Sequence, residues 1–78
     1  MSIDNLLVVV VSPDAKYLRP FKLFGDVDTL LSRLENESEN NQLVYCVYLC
    51  RDGKDIFIPH CTIHKGKQYI ADNYLVRY

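Results

Sequence analysis

Six consecutive aliphatic residues, Leu6 to Val11, are the feature of this chain that most restricts its fold. Four of them are valines, whose branched side chains favour extended backbone. Side chains of a strand alternate between its two faces, so an unbroken apolar run is hydrophobic on both faces, which is typical of a central strand. The run ends at Ser12-Pro13-Asp14, residues that favour a turn. The sequence therefore predicts a sheet with this segment in its interior.

A second strand is predicted from about Lys16 to Phe24, and Pro20 inside it restricts where that strand can lie. Proline has no backbone N–H to donate to a neighbouring strand. We therefore expect this strand at an edge of the sheet or at a bulge.

Periodic apolar residues after the second strand predict a helix, because they recur at the spacing that places side chains on one helical face. They are Val27, Leu30, Leu31 and Leu34. Asp26 can cap the helix, since its carboxylate can accept from the free amides of the first turn. The glutamates after Asn36 have the wrong charge for a helix C-terminus, so the helix is predicted to end near that residue. Residues 37–41 are then a solvated loop.

The strongest hairpin signal is Asp52-Gly53, which separates the apolar run Leu43–Cys50 from Ile56–Ile58. A two-residue turn there would pair Leu49 with Ile56. One face of the hairpin, suited to packing against the helix, would then carry Leu43, Tyr45, Val47, Leu49, Ile56 and Ile58. The opposite face would carry Cys46, Tyr48, Cys50, Phe57 and Cys61.

The whole chain, residues 1–78, is predicted to be a single α+β domain, since domains usually have about 100–150 residues. Two short strands near residues 67–71 and 74–78 complete a small antiparallel sheet of four to six strands. One amphipathic helix lies on one face, in the order β-β-α-β-β-β with an optional last strand. One helix cannot cover strands that are apolar on both faces. The second face is therefore expected to be covered by the C-terminal strands, a second copy or another partner.

Charge, hydropathy and cysteine content indicate which partners and which cellular compartment suit this chain. A net charge of −1 disfavours a general nucleic-acid binder. The longest apolar run is far shorter than the ~20 residues of a membrane helix, and Asp4 stands where a signal peptide would be positive. Three cysteines without a framework spacing fit a reducing compartment. We expect a cytoplasmic protein without disulfides or membrane contact.

A cluster of soft ligands, Cys46, Cys50, His60, Cys61 and His64, raises the question of a metal site. Cys46 and Cys50 are about 13 Å apart along one strand at ~3.3 Å per residue, which is too far to share an ion. We interpret the thiols as buried apolar groups, and a Cys/His metal or redox site stays an alternative. The sequence has no catalytic triad, glycine-rich phosphate loop or HExxH motif, so we predict no catalytic residue and no cofactor.

Two groups of residues are candidates for contacts with a partner. The first combines aromatic and basic side chains, as protein interfaces do, and could also contact phosphates and stack bases. It contains Tyr48, Phe57, Lys65, Lys67, Tyr69, Tyr74, Arg77 and Tyr78. The second is an acidic patch that could attract a basic partner. It contains Glu35, Glu37 and Glu39.

The leading hypothesis from these patterns is a non-enzymatic protein-binding module, a regulator or inhibitor that occupies a surface of a larger partner. Short chains of this kind are common among phage and mobile-element accessory proteins, which is an analogy of size and not of motif. A homodimer is a further expectation. The alternatives are a nucleic-acid-binding regulator that uses the basic, tyrosine-rich C-terminal strands, and the metal or redox site.

Overall fold

The computed structural model describes residues 5–11, 18–51 and 53–70, which form five strands and one helix. The strands are β1 (Asn5–Val11), β2 (Leu18–Phe24), β3 (Val44–Cys50), β4 (Phe57–His64) and β5 (Lys67–Ile70), and the helix is α1 (Val27–Asn41). The strands form one antiparallel sheet in the order β2-β1-β3-β4-β5. The predicted α+β class, with one helix between the second and third strands, is confirmed. The predicted strand at 74–78 lies outside the described residues.

The positions of β1 and β2 in the sheet follow from their sequences. β1 lies between β2 and β3, as expected for a strand that is apolar on both faces. β2 forms an edge of the sheet, which agrees with the expectation from Pro20. Its residues are mostly exposed, whereas most of β1 is buried.

α1 begins where the sequence predicts. Asp26 is the N-cap, and its Oδ2 accepts a hydrogen bond from the Thr29 backbone N at 3.0 Å. Leu31 and Leu34 are buried against the sheet, while Val27 and Leu30 are partly buried beside them. The apolar spacing thus correctly predicted which face of α1 packs against the sheet.

The predicted helix end near Asn36 is wrong, because α1 continues to Asn41. Ser38 is fully buried, and its Oγ donates to the Leu43 carbonyl at 2.6 Å, which joins the last turns of the helix to the start of β3. A buried hydrogen bond left unmade costs about 1–3 kcal/mol, more than the roughly 0.3–1 kcal/mol of an unfavourable charge at a helix end. Residues 37–41 are therefore helical and not a loop.

The core lies between α1 and one face of the sheet. Its buried members are Leu6, Val8, Val10, Leu31, Leu34, Tyr45, Val47, Leu49, Cys61 and Ile63. Leu43 packs against it and is partly buried. Ile56 and Ile58 were predicted to face the helix as part of this core, but they are 51% and 42% exposed.

The pairing between β3 and β4 differs from the predicted tight hairpin. Leu49 pairs with Ile58 and not with Ile56, and the ladder starts at Cys50 and Phe57. The connection therefore spans residues 51–56. The Lys54 backbone N donates to the Arg51 carbonyl at 3.1 Å, and further residues follow before β4 begins, so the predicted two-residue connection is wrong.

A β-bulge in β4 decides the face from which Cys61 projects. Tyr48 pairs with Pro59, but the preceding residue of β3 pairs with Cys61, which leaves His60 as the extra residue. One extra residue shifts the alternation of side chains, so Cys61 lies in the core beneath α1. The prediction that Cys61 shares the opposite face with Cys46 is therefore wrong.

Candidate functional site

The sheet face opposite α1, called the outer face below, is covered by no helix of the described residues. Residues directly opposite each other in paired strands project from the same face, so the strand pairing shows which residues belong to the outer face. The central ones are Leu7, Val9, Lys22, Cys46, Tyr48, Cys50, Phe57, Thr62, Lys67 and Tyr69. This face thus combines apolar, aromatic and basic side chains.

An apolar pocket of about 250 Å³ lies on the outer face, lined by Leu7, Val9, Tyr48 and Phe57. Val9 is buried and Phe57 is 47% exposed, so the pocket is an open apolar depression with a buried aliphatic floor and an accessible aromatic wall. Pockets for drug-sized ligands usually measure about 300–1,000 Å³. The smaller volume here suits one or two protein side chains. The structure therefore places Tyr48 and Phe57 on one face, as the predicted hairpin did, and adds Leu7 and Val9 of β1 beside them.

Two further apolar side chains project from the same face. Phe24 is 68% exposed. We call a line of residues that lie directly opposite each other across the strands a register row. The register row of Phe24 contains Asn5, Cys50 and Phe57, and Phe57 lies at the edge of the pocket. Leu18 is 59% exposed at the other end of β2. The sequence analysis did not identify either residue as a contact residue. Alternation along β2 predicts two faces but not which of them packs against the helix.

An ion pair connects β2 to the loop between β3 and β4. Lys22 Nζ donates to Asp55 Oδ1 at 2.7 Å, and this hydrogen bond raises the pKa of Lys22. Lys22 lies in the same register row as Leu7 and Tyr48. The loop therefore reaches to the rim of the pocket, and a basic group stands beside its apolar lining.

The basic and aromatic residues predicted near the C-terminus are placed only in part. Lys67 and Tyr69 project from the outer face on β5, and Lys65 occupies the turn before that strand with φ 52°. Tyr74, Arg77 and Tyr78 lie outside the described residues.

The three predicted glutamates lie on α1 but do not form one patch. Glu39 approaches the turn at Gly66, where a Cβ placed on the glycine would be 3.1 Å from the Glu39 Cβ and 3.5 Å from the Glu35 carbonyl oxygen. Glu37 lies elsewhere, with Oε1 accepting from Arg33 Nε at 3.4 Å. The structure therefore keeps Glu35 and Glu39 beside the same turn and separates Glu37 from them.

The three cysteines are buried thiols, and they lie on both sides of the sheet. Cys46 and Cys50 project from the outer face, whereas Cys61 lies beneath α1. Burial raises the pKa of the Cys61 thiol to about 11, which disfavours the thiolate at neutral pH. Within residues 5–11, 18–51 and 53–70, no three His, Cys, Asp or Glu side chains converge as metal ligands would.

Stability at alkaline pH is expected to depend on Cys61. Its pKa is about 11 in the folded protein and 9.0 for an ordinary thiol, so between these values the unfolded chain loses the proton first. The contribution of this thiol to the free energy of unfolding should be fully present below that window and decrease by at most about 1.4 kcal/mol per pH unit within it. Denaturant titrations at increasing pH measure this decrease. Cys61→Ala should remove the component and Cys46→Ala should keep it; identical pH profiles for wild type and Cys61→Ala would contradict the assignment.

Searches for similar proteins give no assignment. No protein-family model, no curated protein and no solved structure matches this chain. In the part of the chain that the structure describes, α1 is too short and too polar to cross a membrane. A functional proposal therefore depends on the outer face itself.

Proposed function

We propose that this chain is a small, non-enzymatic protein-binding module of the cytoplasm that docks its outer face on a larger partner, as regulators and inhibitors do. The observation that carries the proposal is the apolar pocket between β1, β3 and β4, with Phe24 and Phe57 exposed on the same face. Strong protein interfaces concentrate their binding energy where aromatic or aliphatic anchors fill such pockets.

Burial of this surface would contribute part of the driving force for association. Phe24 and Phe57 are each about half or more exposed, so burying the exposed part of each would contribute roughly 1–2 kcal/mol. The pocket can also accept an anchor from the partner. Contiguous exposed apolar groups with a polar rim are typical of interaction surfaces in proteins that fold as soluble domains.

The non-enzymatic part of the proposal rests on the chemistry of the available side chains. The cysteines are buried, and the raised pKa of Cys61 keeps its thiol protonated, whereas catalytic thiols have lowered pKa values. The pocket lining is aliphatic and aromatic. Such a lining can bind a side chain, and the hydroxyl of Tyr48 is its only group that can exchange a proton.

Capture from lysate of the source cells tests the proposal, with two matched variants. Phe57→Ser changes the pocket wall, and Ile70→Ser changes an equally apolar, 64% exposed residue whose register partner is Cys61, on the helix side of the sheet. We expect a protein that wild type and Ile70→Ser retain in comparable amounts and that Phe57→Ser loses, identified by mass spectrometry. Both variants must unfold at the same denaturant concentration as wild type. Retention by Phe57→Ser, or capture of nothing by wild type, would contradict the proposal.

A further inference from the structure

The centre of the outer face is buried, although no described helix or strand lies over it. One register row crosses the sheet from β1 to β4 through Val9, Cys46 and Thr62, which are 8%, 2% and 8% exposed in a single copy of the chain. All described strands belong to one sheet, and α1 packs on its opposite face. Side chains on one sheet face stand side by side, so they shield each other's flanks but leave their tips to solvent. The burial of this row therefore indicates a cover from elsewhere in the same chain.

A buried hydroxyl in the same row also needs a partner. Thr62 Oγ1 is buried, and none of the described residues forms a hydrogen bond with it. Leaving such a group unpaired costs about 1–3 kcal/mol. The backbone of a polypeptide segment carries both donors and acceptors, so a segment lying over this row could supply the missing hydrogen bond.

From the buried row we infer that residues 71–78 of the same chain pack across the centre of the outer face as an extended segment. Of the covers that the sequence leaves open, this is the one that acts within a single copy. The consequence of the inference rests on the proposed function: the segment borders the pocket and forms one side of the docking surface. Phe24 and Phe57 stay exposed beside it.

The sequence of the segment suits this position. Alternate residues of an extended chain share a face, so Tyr74, Val76 and Tyr78 lie on one side and Leu75 and Arg77 on the other. The first side can cover the row with two rings and a valine. The second side keeps the charge of Arg77 in water, where it pays no desolvation cost.

The length of the segment and the place where it begins also fit. β5 ends at Ile70, and its residue Tyr69 pairs with Thr62 in the buried row. Residues 71–73, which include the turn-favouring pair Asp72-Asn73, extend over roughly 10 Å, the distance between packed layers. Residues 74–78 extend over roughly 16 Å at ~3.3 Å per residue. The row from β5 to β1 spans three strand spacings, about 14 Å, so these five residues can cover it.

The two other segments outside the described residues are too short to cover this row. Residues 1–4 precede Asn5, which lies four residues and two strand spacings from Thr62, or roughly 16 Å. Four residues reach only ~13 Å. Residues 12–17 connect neighbouring strands, so six residues must leave and return and reach about 10 Å. They begin after Val11, which is roughly 12 Å from Thr62 by the same spacings.

NMR spectroscopy of the full chain tests the position of the segment directly. We expect nuclear Overhauser contacts from the rings of Tyr74 and Tyr78 to the methyl groups of Val9 and Thr62. A sample that mixes isotope-labelled with unlabelled chains separates contacts within one copy from contacts between copies. Contacts between copies would assign the cover to a second copy. Contacts of the two tyrosines with β5 alone would make the segment a sixth strand. Either result would overturn the inference.

Thiol accessibility gives a second measurement, with Cys61 as an internal control. Cys46 lies in the buried row, whereas Cys61 lies beneath α1. Tyr74→Ser with Tyr78→Ser removes most of the apolar surface that covers the row, so it should raise the rate of Cys46 alkylation by iodoacetamide at least about tenfold. The rate for Cys61 should not change. Mass spectrometry of the peptides assigns a rate to each cysteine. Unchanged protection of Cys46, or equal acceleration of both thiols, would contradict the cover.

The matched control changes the other side of the same segment. Leu75→Ser with Arg77→Ser also places two serines there, and it should leave the alkylation rate of Cys46 as in the wild type. The same acceleration as in the tyrosine variant would show that the segment does not lie on the sheet with its tyrosines inward.

Lysate capture separates this inference from the proposed function. If the ring contacts are found but no partner is captured through Phe57, the cover stands and the docking function is wrong. If a partner is captured through Phe57 while the ring contacts are absent, the docking function stands and the cover is wrong.

Discussion

Replacing Leu34 with alanine is expected to lower the free energy of unfolding by about 2–5 kcal/mol. Leu34 is 1% exposed at the centre of the contact between α1 and the sheet. Its removal leaves a cavity beside strands that can collapse only in part. A chain of this size has a total stability of roughly 4–12 kcal/mol, so this single change removes a substantial part of it.

Leu30→Ala is the matched control, because it makes the same chemical change in the same helix at a residue that is only partly buried. Its cost should be clearly smaller than that of Leu34→Ala. Denaturant unfolding followed by circular dichroism measures both. Equal costs for the two variants would mean that burial beneath α1 does not hold the helix on the sheet.

Gly66→Ala is expected to destabilise the fold by about 2–5 kcal/mol, for two separate reasons. Gly66 has φ +74°, a left-handed conformation that costs other residues about 1–2 kcal/mol. A Cβ at this position would also lie 3.1 Å from both the Cβ and Oε2 of Glu39 and close to the backbone of Glu35, and such crowding typically costs 1–3 kcal/mol. Thermal or denaturant unfolding measures the sum.

Gly53→Ala separates the two contributions. Gly53 has nearly the same backbone conformation, φ +64°, but no atom lies within 4 Å of a Cβ placed there. This variant should therefore show only the backbone cost of about 1–2 kcal/mol. The difference between the two variants reports the close contact of α1 with the turn between β4 and β5. No difference would show that the contact relaxes without cost.

Much of the fold could be predicted because local chemistry determines it. The apolar spacing from Val27 to Leu34 and the carboxylate of Asp26 fixed the start and buried face of α1. The two-sided apolar character of β1 placed it inside the sheet, and Pro20 placed β2 at an edge. Each of these features depends on residues that are neighbours in the chain.

The end of α1 and the register of β4 could not be predicted in this way. The helix extends past its unfavourable glutamates because Ser38 bonds to the Leu43 carbonyl, a contact that exists only when β3 folds back beside the helix. The bulge at His60 reverses the face of Cys61. Pro59 is a local signal of a bulge, because proline cannot donate a hydrogen bond to a neighbouring strand, but it does not determine from which face Cys61 projects.

The candidate site was likewise predictable from the sequence only in part. Alternation within the predicted hairpin placed Tyr48 and Phe57 on one sheet face in need of cover. Only the tertiary structure joined these two residues with Leu7 and Val9 in one pocket. A sequence determines which side chains alternate within each strand. Which strands become neighbours, and therefore which side chains share a surface, is decided by pairing between segments that are far apart in the chain.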